Sequence, residues 1–294
     1  MIKELKTPLT DFIIGSEWIY YKIYTGPKSA DNILINTIYP LIESLYKRKV
    51  ILKWFFIRYS DPDYHIRIRF LLNSLDDFNS VIKEVHDSVK ELYLNGIVDN
   101  IILDTYKPEY KRYGGITMKY VESVFGAESN MILAYLSYEK KETLKNYESR
   151  WLFGIKAIDH HLDLFGYSNQ DKTNLLYFLK ESYKNEFKGS IFNIGKQLGT
   201  KSRIHKEKVQ QVINSSFAAN FLEIKKKQAQ KPISDIVHLK NRNDLEMSLN
   251  ELNLSLLHML INRLFKSRNR LYELVLYDLL YSYYFAMTKK NVGH

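Results

Sequence analysis

From residue 16 to about residue 115 the apolar positions fall into short alternating runs interrupted by helical spacing; beyond that point helical spacing dominates. EWIYYKIYT (17–25) is aromatic and β-branched and stops at Gly26-Pro27, which predicts a strand ending in a turn. SADNILINTIYPLIESLYKR (29–48) repeats apolar residues at helical intervals, with Ser29 as a possible N-cap and Pro40 as a kink. VILKWFFIRY (50–59) and HIRIRFLL (65–72) read as strands joined through Ser60-Asp61-Pro62-Asp63, a hairpin signal. SLDDFNSVIKEVHDSVKELYLNG (74–96) predicts a capped amphipathic helix ending at Gly96, and VDNIILDTYKPE (98–109) a fourth strand. The order is βαββαβ. It predicts an α+β fold with a ferredoxin-like antiparallel sheet, helices on one face and the other face free.

After Gly114-Gly115 the chain holds a single proline and its pattern is helical, with helices expected over 117–137, 146–165, 170–186, 204–230, 242–266 and 269–288. No internal repeat or low-complexity linker separates the two parts. The expectation is therefore one domain over 1–294, made of an α+β subdomain (16–115) and a mostly α-helical subdomain (116–294) sharing a core. At 294 residues, 45% hydrophobic and 26% charged, the chain can bury a sizeable core without disulfides or a structural metal. The absence of cysteine removes thiolate ligands and thiol nucleophiles, and neither a signal peptide nor a membrane span is recognisable. A cytoplasmic location is the simplest reading.

Lysine and arginine exceed aspartate and glutamate by 43 to 33, a net charge of +10, which favours an acidic partner. Much of the excess lies in KKKQAQK (225–231) and FKSRNR (265–270), runs that more often form solvated helix faces than a nucleic-acid site. No direct nucleic-acid contact is expected. Nucleotide-loop, nucleophile-elbow and H-E-x-x-H motifs are missing; His160 and His161 are adjacent and point apart on a helix, so no metal site and no cofactor are expected.

Three places carry candidate chemistry. In YSDPDYHIRIRF (59–70), alternation puts His65, Arg67 and Arg69 on one strand face and Ile66, Ile68 and Phe70 on the other. The cationic face either lies in solvent or forms part of a site. YKPEYKRYGG (106–115) carries Glu109 and Arg112 into a double glycine that permits a sharp turn, and the shared sheet lets carboxylate and guanidinium meet. LSLLHMLINRLF (254–265) places His258 and Asn262 one turn apart, His258 at the edge of the stripe of Leu257, Ile261 and Leu264. Such a histidine is either a hydrogen-bonded core residue or a catalyst.

Taken in order, WFFIRYSDPDYHIRIRF, YKPEYKRYGG and SLLHMLINRLF resemble the signature blocks of the C-terminal elimination domain of class I lantibiotic dehydratases, also called the thiopeptide-type bacteriocin biosynthesis domain. They span residues 54–265, and EWIYYKIYTGP resembles the family's first strand. The resemblance implies a lyase that expels glutamate from glutamylated Ser or Thr of a ribosomally made precursor peptide, leaving dehydroalanine or dehydrobutyrine. It also implies a separate glutamyl-tRNA-dependent protein that supplies the ester, as in split dehydratases, and leaves homo-oligomerisation possible. Carried over by position, the elimination residues are Arg67, Arg69, Glu109, Arg112 and His258, with Arg58, His65, Asn262 and Arg263 as substrate-binding neighbours. Guanidinium groups suit a leaving group that carries a second carboxylate beside the one freed from the ester. The complete set points away from the pyridine-forming [4+2] cyclases of the same fold, which lack much of it. A non-catalytic leader-peptide-binding subunit is the remaining alternative.

Overall fold

Strand β1 (Trp18–Thr25) is followed by helix α1 (Pro27–Ile33), a π-helical turn (Leu34–Ile38) and helix α2 (Tyr39–Lys47). Then come strands β2 (Ile51–Ser60) and β3 (Tyr64–Leu72), helix α3 (Phe78–Leu94) and strand β4 (Val98–Asp104). The computed structural model describes residues 11–142 and 149–292, so the first three positions of the helix expected over 146–165 lie outside the described residues. The four strands pair antiparallel in the order β2-β3-β1-β4. Helix α1 starts at Pro27 with Gly26 as N-cap, not at Ser29, because proline is pre-set for the first helical turn and needs no partner for a missing N–H. Pro40 does mark an irregularity, a π turn just before it that accommodates the lost i→i−4 bond. The fourth strand ends at Asp104, five residues earlier than the sequence pattern indicates; Tyr106 makes only a bridge to Phe12, and Tyr110–Tyr113 form a short helix, α4.

Seven longer helices complete the described chain: α5 (Met118–Glu142), α6 (Ser149–Leu164), α7 (Asn169–Phe187), α8 (Ile194–Asn214), α9 (Ala219–Asn241), α10 (Leu249–Leu264) and α11 (Asn269–Val292). The stretch expected as one helix over 204–230 is two, broken at residues 215–218, where Ala218 adopts φ of +60°. Helix α9 runs through Pro232 with Ala229, Ile233 and Ile236 buried on either side, so core packing offsets a proline cost of about 3 kcal/mol. Helix α10 begins at a Ser248–Glu251 capping box rather than at residue 242.

One sheet face, with Ile19, Ile23, Trp54, Phe56, Ile66, Ile68 and Phe70, packs on Ile33, Leu34, Leu45, Val81 and Val85 of the N-terminal helices. The opposite face is not free. Trp18, Tyr20, Phe55 and Ile57 are covered by Val121, Val124 and Phe125 of α5 and by Leu252, Leu256 and Met259 of α10. Each such apolar side chain contributes about 1.5–3 kcal/mol when withdrawn from water, so leaving this aromatic face bare would be costly. That is why the cationic row, which lies on this same face, does not sit on an open surface.

Candidate functional site

The outer edge of β2 determines where α10 lies. Along it the outward backbone groups are met by side chains: the Phe56 N–H donates to Ser129 Oγ (3.3 Å), and the Phe56 carbonyl accepts from Arg263 Nε (2.8 Å). Arg58 N–H donates to Asn262 Oδ1 (2.9 Å) while Asn262 Nδ2 donates back to the Arg58 carbonyl (2.8 Å). Asn262 thus imitates a neighbouring strand. Helix α5 comes equally close, since a Cβ added at Gly126 would sit 2.8 Å from the Trp54 carbonyl oxygen.

Ser255, His258, Met259 and Asn262 follow the i, i+3, i+4, i+7 rule and share one face of α10, spanning about 10 Å at 1.5 Å per residue. Ser255 Oγ accepts from Arg112 Nε (3.2 Å), and Arg112 Nη1 reaches Glu109 (3.3 Å). Met259 lines a cavity of about 20 Å³ together with Arg69, Tyr106, Lys107 and Glu109. His258 lines an open cleft of about 650 Å³ with Tyr59, Asn262, Arg268 and Arg270. One helix face therefore meets the Glu109–Arg112 pair, the Arg69 cavity and the histidine cleft.

Each cation is held differently. The Arg69 guanidinium is buried, with Tyr20, Tyr106 and Phe55 rings 4.3, 4.9 and 5.2 Å away, and neither Nε nor Nη1 meets a hydrogen-bond acceptor. Burial pulls its pKa down, opposed by Tyr106, Tyr20 and Glu109. The Arg67 guanidinium lies 3.6 Å over the Tyr59 ring, and its Nε donates to His65 Nε2 (2.9 Å). His65 Nε2 must then be unprotonated, so Nδ1 carries the hydrogen and donates to the Asp63 carbonyl (2.8 Å). Burial lowers the His65 pKa, in keeping with a neutral ring. Glu109 pairs with Arg112 and shares the small cavity with Arg69, whereas Arg67 stands with His65 and Tyr59.

His258 is one-quarter exposed and its Nδ1 contacts Glu273 Oε1 (2.8 Å), a carboxylate with no exposure. A buried carboxylate at Nδ1 fixes the tautomer and leaves Nε2 as the nitrogen available to the cleft. Arg270 Nη1 lies 3.5 Å from the other Glu273 oxygen and also bonds Tyr183 (2.6 Å).

Arg58 and Arg263 do not present their charges to the cleft in the same way. Arg58 is buried and donates to Asp31 (2.7 Å), to the Arg263 carbonyl (3.0 Å) and to Tyr64 (3.2 Å), although it borders the cleft. Arg263 is fully buried: besides Phe56, it pairs with Glu128 (3.0 Å), whose other oxygen takes Lys225 (2.9 Å). His161 Nε2 bonds Asn253 Oδ1 (2.8 Å) and its Nδ1 faces Lys225 Nζ (2.7 Å), which makes Nδ1 the acceptor and the ring neutral. The two cations hold the Glu128 carboxyl down at about 2 despite its complete burial, and burial draws the Arg263 pKa down to about 10.

Glu273, Tyr59, Ser255 and Glu128 are absent from the sequence-derived set. Glu273 leaves a trace, one of two acids in the mostly apolar run LYELVLYDLL (271–280). Ser255 and Glu128 have no such signal, since their partners lie far away in the chain, and Tyr59 heads the YSDPDYHIRIRF hairpin, with Arg67 of the paired strand over its ring. Among the described residues no group of His, Asp and Glu is arranged to hold a metal ion, and no helix is long and apolar enough to cross a membrane.

An antiparallel sheet whose second face and β2 edge are covered by helices, with a carboxylate-bound histidine in a basic cleft, defines an α+β protein with a candidate site for proton transfer. The chain belongs to the lantibiotic biosynthesis dehydratase C-terminal family, whose model matches residues 18–284. It is 24% identical over 202 residues to the subtilin biosynthesis protein SpaB of Bacillus subtilis, an alignment covering 63% of this chain and 19% of SpaB. The chain thus spans about a fifth of that relative's length. Its fold is similar to that of the tRNA-dependent lantibiotic dehydratase MibB from Microbispora sp. 107891 (TM-score 0.71, 18% identity, 97% of this chain and 29% of MibB). It is also similar to the pyridine synthase TbtD from thiomuracin biosynthesis (TM-score 0.64, 12% identity, 94% of this chain and 100% of TbtD).

Proposed function

We propose that this chain is the elimination component of a class I dehydratase, a carbon–oxygen lyase that removes glutamate from glutamylated Ser or Thr of a ribosomally made peptide. The observation that carries the reading is the His258–Glu273 pair opening onto a basic cleft, with Arg67 stacked on Tyr59, a residue of the cleft wall. In the proposed step His258 Nε2 takes the Cα proton, the C–H electron pair forms the Cα=Cβ bond, and the Cβ–O bond breaks to release glutamate as a carboxylate. Glu273 favours the imidazolium that forms. Arg67 binds the departing carboxylate. The cavity at Arg69 has room for about one water and none for a carboxylate, so Arg69 acts through its field unless the Glu109–Arg112 segment moves. Arg58, His65, Asn262 and Arg263 support the site by holding β2, β3 and α10 in place. No step calls for a cofactor. A separate glutamylating protein supplies the ester.

Two features support the finer architectural reading. The strand order β2-β3-β1-β4 with antiparallel neighbours favours a ferredoxin-like unit, and both hydrophobic clusters draw on residues from 16–115 and 116–294, as subdomains sharing one core would.

The test is incubation of the protein with a synthetic peptide bearing O-glutamyl-Ser, followed by mass spectrometry. Loss of one glutamate to give dehydroalanine is expected, and an intact ester in the presence of folded protein refutes the reading. His258→Ala and Arg67→Ala should stay folded and leave the ester in place; full elimination by both would remove these residues from the mechanism.

A further inference from the structure

We propose that a second cavity, between α6, α8 and α11, is a subsite for a bulky apolar side chain of the peptide substrate, two to four residues from the reacting Ser or Thr. This rests on the reading of the His258 cleft as the place where a peptide is processed.

The cavity measures about 370 Å³, within the range of small-molecule sites, and is walled by Trp151, Ile194, Leu198, Val275 and Leu279. Its polar lining is basic or neutral, with Lys201, His205 and Arg268 and no aspartate or glutamate. It adjoins the His258 cleft, because Arg268 and Leu271 line both. Apolar side chains also stand exposed around it: Ile204, on α8 between the lining residues Lys201 and His205, is 70% exposed, and Phe192, next to the lining Ile191, is 86% exposed. Exposed apolar residues gathered beside a cavity are the mark of a contact surface rather than of scattered surface residues.

The length fits a peptide. Arg270 adjoins the His258–Glu273 pair, and Leu274, Val275, Leu276 and Leu279 line the cavity further along the same helix. The cavity's near end, at Leu271, is beside Arg270, and at 1.5 Å per residue its far end, at Leu279, lies about 14 Å along the helix, a span that roughly four extended residues cover. The occupant is thus a peptide segment with one large apolar side chain, and the basic lining favours an acidic neighbour beside it.

Trp151 provides a readout independent of elimination. Ten-residue peptides with an unmodified Ser, carrying Phe or Gly at positions two to four away on either side, are titrated while Trp151 fluorescence is followed, with Trp151→Phe as control. Phe peptides should bind roughly ten- to a hundredfold tighter than Gly peptides. Gln197→Trp, an exposed position of α8 that lines the cavity, should fill it and bring the ratio to about one. Equal binding of Phe and Gly peptides, or a preference that survives in folded Gln197→Trp, overturns the subsite. In parallel, glutamylated versions of the peptides report elimination. Turnover without any Phe preference refutes the subsite alone, whereas a Phe preference without turnover supports the subsite and refutes the elimination reading.

Discussion

Replacing Asn262 tests the link between the sheet edge and the histidine. Its amide satisfies both the N–H and the carbonyl of Arg58 at 2.9 and 2.8 Å, one helical turn from His258. Asn262→Leu keeps the side chain's length but leaves two partly buried backbone groups unpaired, each worth about 1–3 kcal/mol. Water entering along the cleft offsets some of this, so the expected loss is about 2–4 kcal/mol. Asn262→Asp still accepts from the N–H but sets a carboxylate oxygen against the Arg58 carbonyl, so it should lose at least as much. Urea unfolding followed by circular dichroism measures the stability. Elimination kinetics measure the rest: with α10 released from β2, His258 shifts relative to Tyr59 and Arg67, so kcat should fall at least tenfold while KM changes little. Were Asn262 instead a substrate contact, KM would rise and stability would hold. Unchanged stability of Asn262→Leu, with or without loss of turnover, refutes the argument that this amide seals the strand.

Arg69→Met should leave stability unchanged or raise it, because a buried, unpaired cation gives way to an apolar side chain, while glutamate elimination falls ten- to a hundredfold; paired measurement of urea midpoint and turnover decides, and lost stability with full turnover refutes it. The Glu128 carboxyl is held at about 2, below its usual value of 4.5, so its contribution is complete above about pH 4.5 and fades as pH falls towards 2, amounting to about 3 kcal/mol. Acid titration of the urea midpoint should show this decline in the wild type and a shallower one in Glu128→Gln, which starts lower because Lys225 and Arg263 lose their anion. Gly126→Ala should cost about 1–3 kcal/mol, since the added methyl meets the Trp54 carbonyl at 2.8 Å and backbone must move; a melting temperature equal to that of the wild type contradicts this close approach.

Alternation and turn residues made β1, β2 and β3 legible, because each strand has one face rich in Ile, Phe and Trp and they end at Gly26, Ser60 and Asn73. Periodicity also revealed most helices, but not the break before α9: Ser215-Ser216-Phe217-Ala218 contains neither glycine nor proline, and Ala218 is held at positive φ by its surroundings. The helix expected to end at residue 230 instead runs on through Pro232 to Asn241, as local propensity yielded to packing. At the site, His258, Glu109 and Arg112 stood out by type and position. What could not be read was the difference in surroundings between Arg67 and Arg69. Two residues apart on one strand, they look equivalent, yet α5 and α10 cover one and leave the other on Tyr59 beside the cleft. The rings around Arg69 come from β1, β2 and Tyr106, and Met118, Phe125 and Met259 close the cavity beside it, contacts that no local pattern records.

The two edges of the sheet also differ, and this bears on the leader-binding alternative. Strand addition needs a row of unpaired backbone groups. On β2 those of Phe56 and Arg58 are already taken by Ser129, Arg263 and Asn262, so a leader peptide could pair there only by displacing α10 and with it His258. Strand β4 pairs with β1 alone, and its other edge has no strand partner among the described residues. A leader captured by strand addition is therefore confined to β4. The sheet is four strands wide, about 14 Å between its outer strands at 4.8 Å per strand, so the peptide would need at least four extended residues to bring a Ser or Thr from β4 to the cleft beside β2. Recognition at β4 and chemistry at His258 are then compatible, and a binding role for this sheet does not compete with a catalytic one.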